Sequence, residues 1–155
     1  MSNLVKSILH NIGVVIVGMA LAYLGTMADS LLGAPSLASA PTKVIGSVLL
    51  ALGFLIRVWA TVYFYAQGMR VISLNPQGAL ITSGPYRFSR NPLYLGGNVF
   101  IFLGAALLLG SPTALVATAF HLPLMDRFIR REEEQLQRQF GEQWQTYKQR
   151  VRRWL

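Results

Sequence analysis

The sequence predicts an all-α chain, a polytopic membrane helix bundle of about four transmembrane helices followed by a C-terminal amphipathic cytoplasmic helix. Three observations predict it. Of the 155 residues, 53% are apolar, and mean hydropathy is +0.43, above the usual range of a soluble domain. The apolar residues fall in long blocks, and a bilayer core takes about 20 of them to cross as a helix. The basic residues gather between and after the blocks instead of spreading along the chain.

The whole chain, 1–155, reads as one domain. The first block runs from about Ile12 to Ala28, and only Lys6 flanks it on the N-terminal side. Without a small-residue cleavage signature it reads as a retained signal anchor. A Pro-, Ser-, Ala- and Gly-rich loop, Asp29 to Lys43, leads to the second block, Val44 to Ala66. From Gln67 to Asn91 the chain has turn chemistry, with Asn75-Pro76, Gly78 and Ser83-Gly84-Pro85. The third block is Pro92 to Gly110, and Ser111-Pro112 turns into a fourth. The apolar run of the fourth ends at Met125, short of a full crossing, so it is either a tilted span that continues to about Ile129 or a half-crossing packed against the third helix. Pro123 is expected to kink it.

Orientation follows from Lys and Arg in short loops. Arg70, Arg87 and Arg90 lie between blocks two and three, and eight of the 14 basic residues follow Met125. Four spans put both basic regions and the N-terminus on the cytoplasmic side, whereas three would separate them. The net charge of +8 therefore suits an anionic membrane surface. No nucleic-acid-binding motif accompanies it. The absence of cysteine excludes disulfides, thiolate metal sites and cysteine nucleophiles, and His10 and His121 alone make no His-rich metal site.

Four features invite chemistry. Arg90-Asn91-Pro92-Leu93-Tyr94 opens the third helix, with Asn as a favoured N-cap and Pro at the first helical position. That end turns free N–H groups and a positive dipole to the interface, beside Arg87 and Arg90, where a carboxylate or phosphate is stabilised. Glu132-Glu133-Glu134 follows the fourth block, and three adjacent acids repel one another unless cations or hydroxyl donors offset them. Such acids can hold ribose hydroxyls, an ammonium or a sulfonium. Leu136, Phe140, Trp144, Tyr147 and Val151 recur at helical spacing, which reads as an amphipathic helix on the membrane or docked on the bundle, with Trp154 an interfacial anchor. Gly141 is a candidate break in it. Arg57 lies nine residues before the end of block two, about 14 Å deep, so it has to snorkel, pair or face a polar cavity.

Two stretches carry a resemblance. Thr82-Ser83-Gly84-Pro85-Tyr86 followed by Arg90-Asn91-Pro92-Leu93-Tyr94-Leu95-Gly96, and then Glu132-Glu133, Leu136, Phe140-Gly141, Tyr147 and Val151, resemble the isoprenylcysteine carboxyl methyltransferase and phospholipid methyltransferase group. The resemblance covers about the last half of the chain. It implies a membrane enzyme using S-adenosylmethionine, held between the loop before the third helix and the helix after the last span. Carried over by position, the backbone near Gly78, Leu80 and Ile81, with Tyr86, Asn91, Pro92, Leu93 and Tyr94, lines that pocket, and Glu132 and Glu133 match the cofactor-binding acidic pair. Arg90 joins the Asn91 helix start as a holder of the methionyl carboxylate.

The chain departs from the pattern at three places. Asn91 stands where many members have His and cannot titrate. Trp144 replaces a Tyr. Phe128 occupies the place of an arginine, with neighbouring Arg127 as the substitute catalytic candidate. The implied acceptor is a lipid-like or small apolar molecule carrying a carboxylate, amine or thiol, reached from among the membrane lipids. No metal is required. The alternatives are a non-catalytic membrane scaffold that keeps the fold, and an NADPH-dependent enzyme of the sterol-reductase type, whose greater number of spans argues against it. Small residues such as Gly18 and Ala22 permit close helix contact, without fixing an oligomeric state.

Overall fold

The computed structural model describes residues 2–69 and 78–155. Arg70 and Asn75-Pro76, which the sequence reading used, lie outside them. The described residues are all helix, turn and loop, with no strand.

Helix α1 (Asn3–Leu32) begins at Ser2, whose side chain accepts from the Val5 amide, and ends at Gly33 in the left-handed conformation. It is longer than its apolar block because its first turns carry polar side chains that face α2 (Ala40–Ala66). Ser7 and Asn11 are both buried there. A reciprocal capping box between Ser39 and Thr42 starts α2. Helix α3 (Pro92–Leu109) is irregular. It opens with one α-helical turn, widens to π-helical geometry over Leu95–Ile101, and closes as α-helix over Phe102–Leu109. Ser111 accepts from the Ala114 amide to start α4 (Pro112–Phe140). Pro123 sits inside α4 without ending it. Gly141, at φ 50° and ψ −117°, breaks the chain before α5 (Glu142–Arg150), so the expected interruption at that glycine is real.

Helices α2 and α3 pack backbone to backbone. A Cβ on Gly53 would stand 2.6 Å from the Gly96 carbonyl, and one on Gly46 would stand 2.7 Å from the Gly104 carbonyl. Small residues at such a contact let dispersion forces act across a short gap, which is how helices associate where lipid surrounds them. Gly18 of α1 instead makes room for the side chains of Ile101 and Phe102.

Among the described residues, three helices are long and apolar enough to cross a membrane: Asn3–Leu32, Ala40–Ala66 and Pro92–Leu109. Helix α4 is not among them, because its second half is charged. Its ends are nevertheless fixed at opposite ends of the bundle. Ser111 and Thr113 hydrogen-bond the Asp29 carboxylate near the end of α1, at 2.5 and 2.9 Å. Glu132 meets Tyr94 at the start of α3. The 21 residues between Ser111 and Glu132 rise about 31 Å, close to the hydrocarbon thickness of a bilayer.

Candidate functional site

The site is assembled where the loop before α3, the acidic stretch of α4 and helix α5 converge. Gly84, at φ 61°, lets the chain turn tightly against the Tyr63 ring, which fills the space of the missing side chain. The short 3₁₀ turn Gly84–Arg87 follows and buries Tyr86. The Tyr147 hydroxyl donates to the Tyr86 carbonyl at 2.7 Å. Trp144, Tyr147 and Val151 pack with Ala60 and Tyr86 into one cluster, and Leu80, Ile81, Leu93, Leu136 and Phe140 cover it. The apolar stripe of α5 is thus docked on the bundle.

Beyond α5 the chain runs beside the loop that starts α3. Arg90 donates its amide to the Arg152 carbonyl at 2.9 Å, and the Ser89 hydroxyl and Asn91 side-chain amide both donate to the Arg153 carbonyl at 3.2 Å. This corrects one expectation. Asn91 holds the N-cap position but makes no side-chain cap; its side chain turns to the C-terminal segment, where Nδ2 donates to the Arg153 carbonyl. Pro92 does occupy the first helical position and is fully buried.

At 100° per residue, the three acids of α4 leave the helix in different directions and meet different partners. Glu132 accepts from the Tyr94 hydroxyl at 2.9 Å, and Phe128, one turn earlier, sets its ring edge-on to Tyr94. Glu133 is buried between Arg153, at 2.7 Å, and Arg90, at 3.1 Å. Arg90 lies over the Trp144 ring, and its approach to Glu133 is an ion pair without hydrogen-bond alignment. Arg153 reaches on to Asp126. Glu134 is exposed.

The charge environment follows from this packing. Burial raises the Glu132 carboxyl pKa, the Tyr94 hydrogen bond opposes the rise, and Glu133 adds to it. Burial also raises Tyr86, with the Tyr147 and Glu132 charges adding and the Arg57 charge opposing. The Tyr86 hydroxyl is buried with no hydrogen-bond partner among the described residues. Arg153 is raised, chiefly by its hydrogen bond to Glu133.

Behind the site lies a polar knot that the sequence reading only bracketed. Arg57 pairs, and its partners are neutral: Nε donates to Asn11 Oδ1 and Nη1 to the Leu93 carbonyl, each at 2.8 Å. Asn11 in turn donates to the Ser7 carbonyl and the Thr61 hydroxyl, and Ser7 bonds Thr61. All six carboxylates of the chain fall in the described residues, and none lies in ion-pair range of Arg57. Gly97 leaves room for this side chain, since a Cβ there would stand 2.7 Å from Arg57 Nη1 and push the guanidinium aside.

Of the residues singled out from sequence, Tyr86, Arg90, Asn91, Pro92, Leu93, Tyr94, Glu132 and Glu133 come together, and Leu80 and Ile81 pack beside them. Gly78 is exposed. The catalytic candidate Arg127 is exposed, and its neighbour Phe128 is the side chain that reaches Tyr94. Asn11 and Arg153 were missed. Neither has a local signal, because each acquires its partners only through tertiary packing.

A family model described as phospholipid methyltransferase matches residues 41–143. The match runs from the first turn of α2 to the first turn of α5 and includes Arg57, Tyr86, Tyr94 and Glu132. No curated protein and no solved structure matches the chain.

Proposed function

The chain belongs to the phospholipid methyltransferase family, and on that premise we propose that it is an S-adenosylmethionine-dependent methyltransferase acting on an apolar or lipid-like acceptor within the membrane. The observation that carries the reading is the closure of Tyr94 on Glu132, beside a buried tyrosine hydroxyl, Tyr86, that has no partner. A buried polar group left unpaired is costly, so a ligand that supplies a hydrogen bond there is favoured.

The residues fit the cofactor. S-adenosylmethionine supplies a methyl group on a sulfonium sulfur, open to in-line displacement by a nucleophile. Glu132 is placed to hold ribose hydroxyls or to balance the sulfonium charge. The ring faces of Tyr86 and Tyr94 are suited to a cation. The uncapped first turn of α3 leaves the Leu93 and Tyr94 amides for the methionyl carboxylate. Arg90 and Glu133 neutralise each other and act instead by fixing the walls. The chain's work is then to position the reactants and exclude water.

Helix α4 completes a fourth crossing on this reading, with both termini and the cofactor site on the cytoplasmic side. The basic residues beside the site support that orientation. Arg57 bears on the acceptor. A cation with only neutral partners, one residue contact from Tyr94, favours a group that reacts as an anion, a carboxylate or a thiolate, over an amine.

The test is transfer of tritiated methyl from S-adenosylmethionine onto a membrane lipid extract and a panel of hydrophobic thiols and carboxylates. Label in an extractable product, lost with Glu132→Gln, supports the reading. A folded protein that labels nothing supports a non-catalytic membrane scaffold.

A further inference from the structure

Helix α4 carries a second feature, on the face turned away from the bundle. Val116, Phe120 and Leu124 are 55%, 74% and 56% exposed. At 100° per residue, Arg127 and Arg131 fall within about 20° of the Phe120 direction, and Val116 and Leu124 within about 40°. One face therefore changes from apolar to basic within a single turn, between Leu124 and Arg127.

The two arginines stand one turn apart, are both exposed, and make no ion pair among the described residues. Nearby acids are otherwise engaged: Asp126 pairs with Arg130 and Arg153, and Glu133 with Arg90 and Arg153. Glu134 is the one acid on this face, and it lies beyond Arg131. Like charges one turn apart repel along a helix. An anion held between them removes that repulsion and gains two charge-assisted hydrogen bonds.

We propose that Arg127 and Arg131 clamp the phosphodiester of an anionic glycerophospholipid whose chains lie along Leu124, Phe120 and Val116. The continuity of the face selects a lipid over a soluble anion, because a free phosphate makes no use of the apolar stretch directly beneath the charges. Arg127 and Arg131 sit about 8 and 2 Å before Glu132 along the axis, at the end of the crossing, where a long arginine side chain carries its charge out to the headgroup layer. This surface also accounts for Arg127, which the cofactor site does not use. The inference rests on the membrane placement of α4 and not on methyl transfer.

The full chain is reconstituted into discs containing equal parts phosphatidylglycerol and phosphatidylcholine, and lipids retained on gentle release are counted by native mass spectrometry. Wild type should retain phosphatidylglycerol severalfold over phosphatidylcholine. The pair Arg127→Gln with Arg131→Gln should bring the two near parity, and Arg138→Gln, two turns further out, should stay close to wild type. Parity in the wild type, or an undiminished preference in the double variant, overturns the clamp. An excess of glycerophosphoglycerol, the headgroup without chains, should leave the lipid in place; displacement by the headgroup alone overturns the assignment to a lipid. If the double variant does not fold, Glu134→Gln decides, since removing the one acid on this face must raise the preference, and a fall contradicts the proposal.

Discussion

The Tyr94 hydroxyl, in the first turn of α3, donates a 2.9 Å hydrogen bond to Glu132 Oε2, 38 residues later in α4. That single bond joins the two halves of the candidate cofactor site. Tyr94→Phe keeps the ring and removes the bond. A hydrogen bond to a charged group contributes about 1.5–3 kcal/mol, so kcat/KM at saturating acceptor should fall about 10- to 100-fold. Thermal stability should fall as well, since the folded state loses the same bond and the buried carboxylate its hydroxyl donor. A variant within about twofold of wild type would show that the contact is incidental.

Glu132 gives the pH dependence. Its carboxyl is raised above the ordinary value of 4.5 by burial, and the role proposed for it needs the ionised form. Activity should therefore fall as pH drops through that raised value, with an acid limb above the range of an exposed glutamate. Glu132→Gln should lack the limb. Stability has the opposite sign. Between the unfolded and folded pKa values the folded state binds more protons, so stability falls as pH rises through that window and then levels off. Glu132→Gln should be flatter there in a melting series.

Glu133 and Glu134 are neighbours with opposite expectations. Glu133 is buried against Arg90 and Arg153, and removing one partner of a buried pair costs about 3–5 kcal/mol. Glu133→Ala should strongly lower the melting temperature. Glu134→Ala, on the exposed side of the same turn, should stay within about 0.5 kcal/mol of wild type. Equal effects would mean that the Arg90–Glu133–Arg153 cluster does not hold the fold.

Two glycines make a similar contrast. Gly53→Ala puts a Cβ 2.6 Å from the Gly96 carbonyl, and overpacking of that kind costs about 1–3 kcal/mol. Gly13→Ala meets nothing within 4 Å and should be neutral or stabilising by up to about 1 kcal/mol. Melting in detergent separates them. A tolerated Gly53→Ala would argue against the close α2–α3 contact.

Much of this arrangement was legible in the sequence. Block lengths and charge parity place the start of α3 and the acids of α4 at one end of the bundle, and Gly141 announced a break that the backbone takes. What was not legible depends on contacts far apart in the chain. Asn91 has the side chain of an N-cap, yet the Arg153 carbonyl, 62 residues away, takes its amide. Arg57 was visible as a charge that had to be satisfied, but its partner Asn11 lies 46 residues off in α1. Arg127 is exposed while Phe128 reaches Tyr94, because one residue turns a side chain through 100°, a direction that a sequence pattern without a matching arginine does not supply. The apolar run of α4 stops at Met125 and the helix continues into charged residues, so no stretch of it is as long and apolar as those of the other three.

The most direct measurement is isothermal calorimetry of S-adenosylmethionine against the purified full chain in detergent. Saturable binding by the wild type, weakened by both Tyr94→Ala and Glu132→Ala, is the predicted result. A folded wild type that takes up no heat of binding, or variants that bind as well as it does, would contradict a cofactor site between α3 and α4.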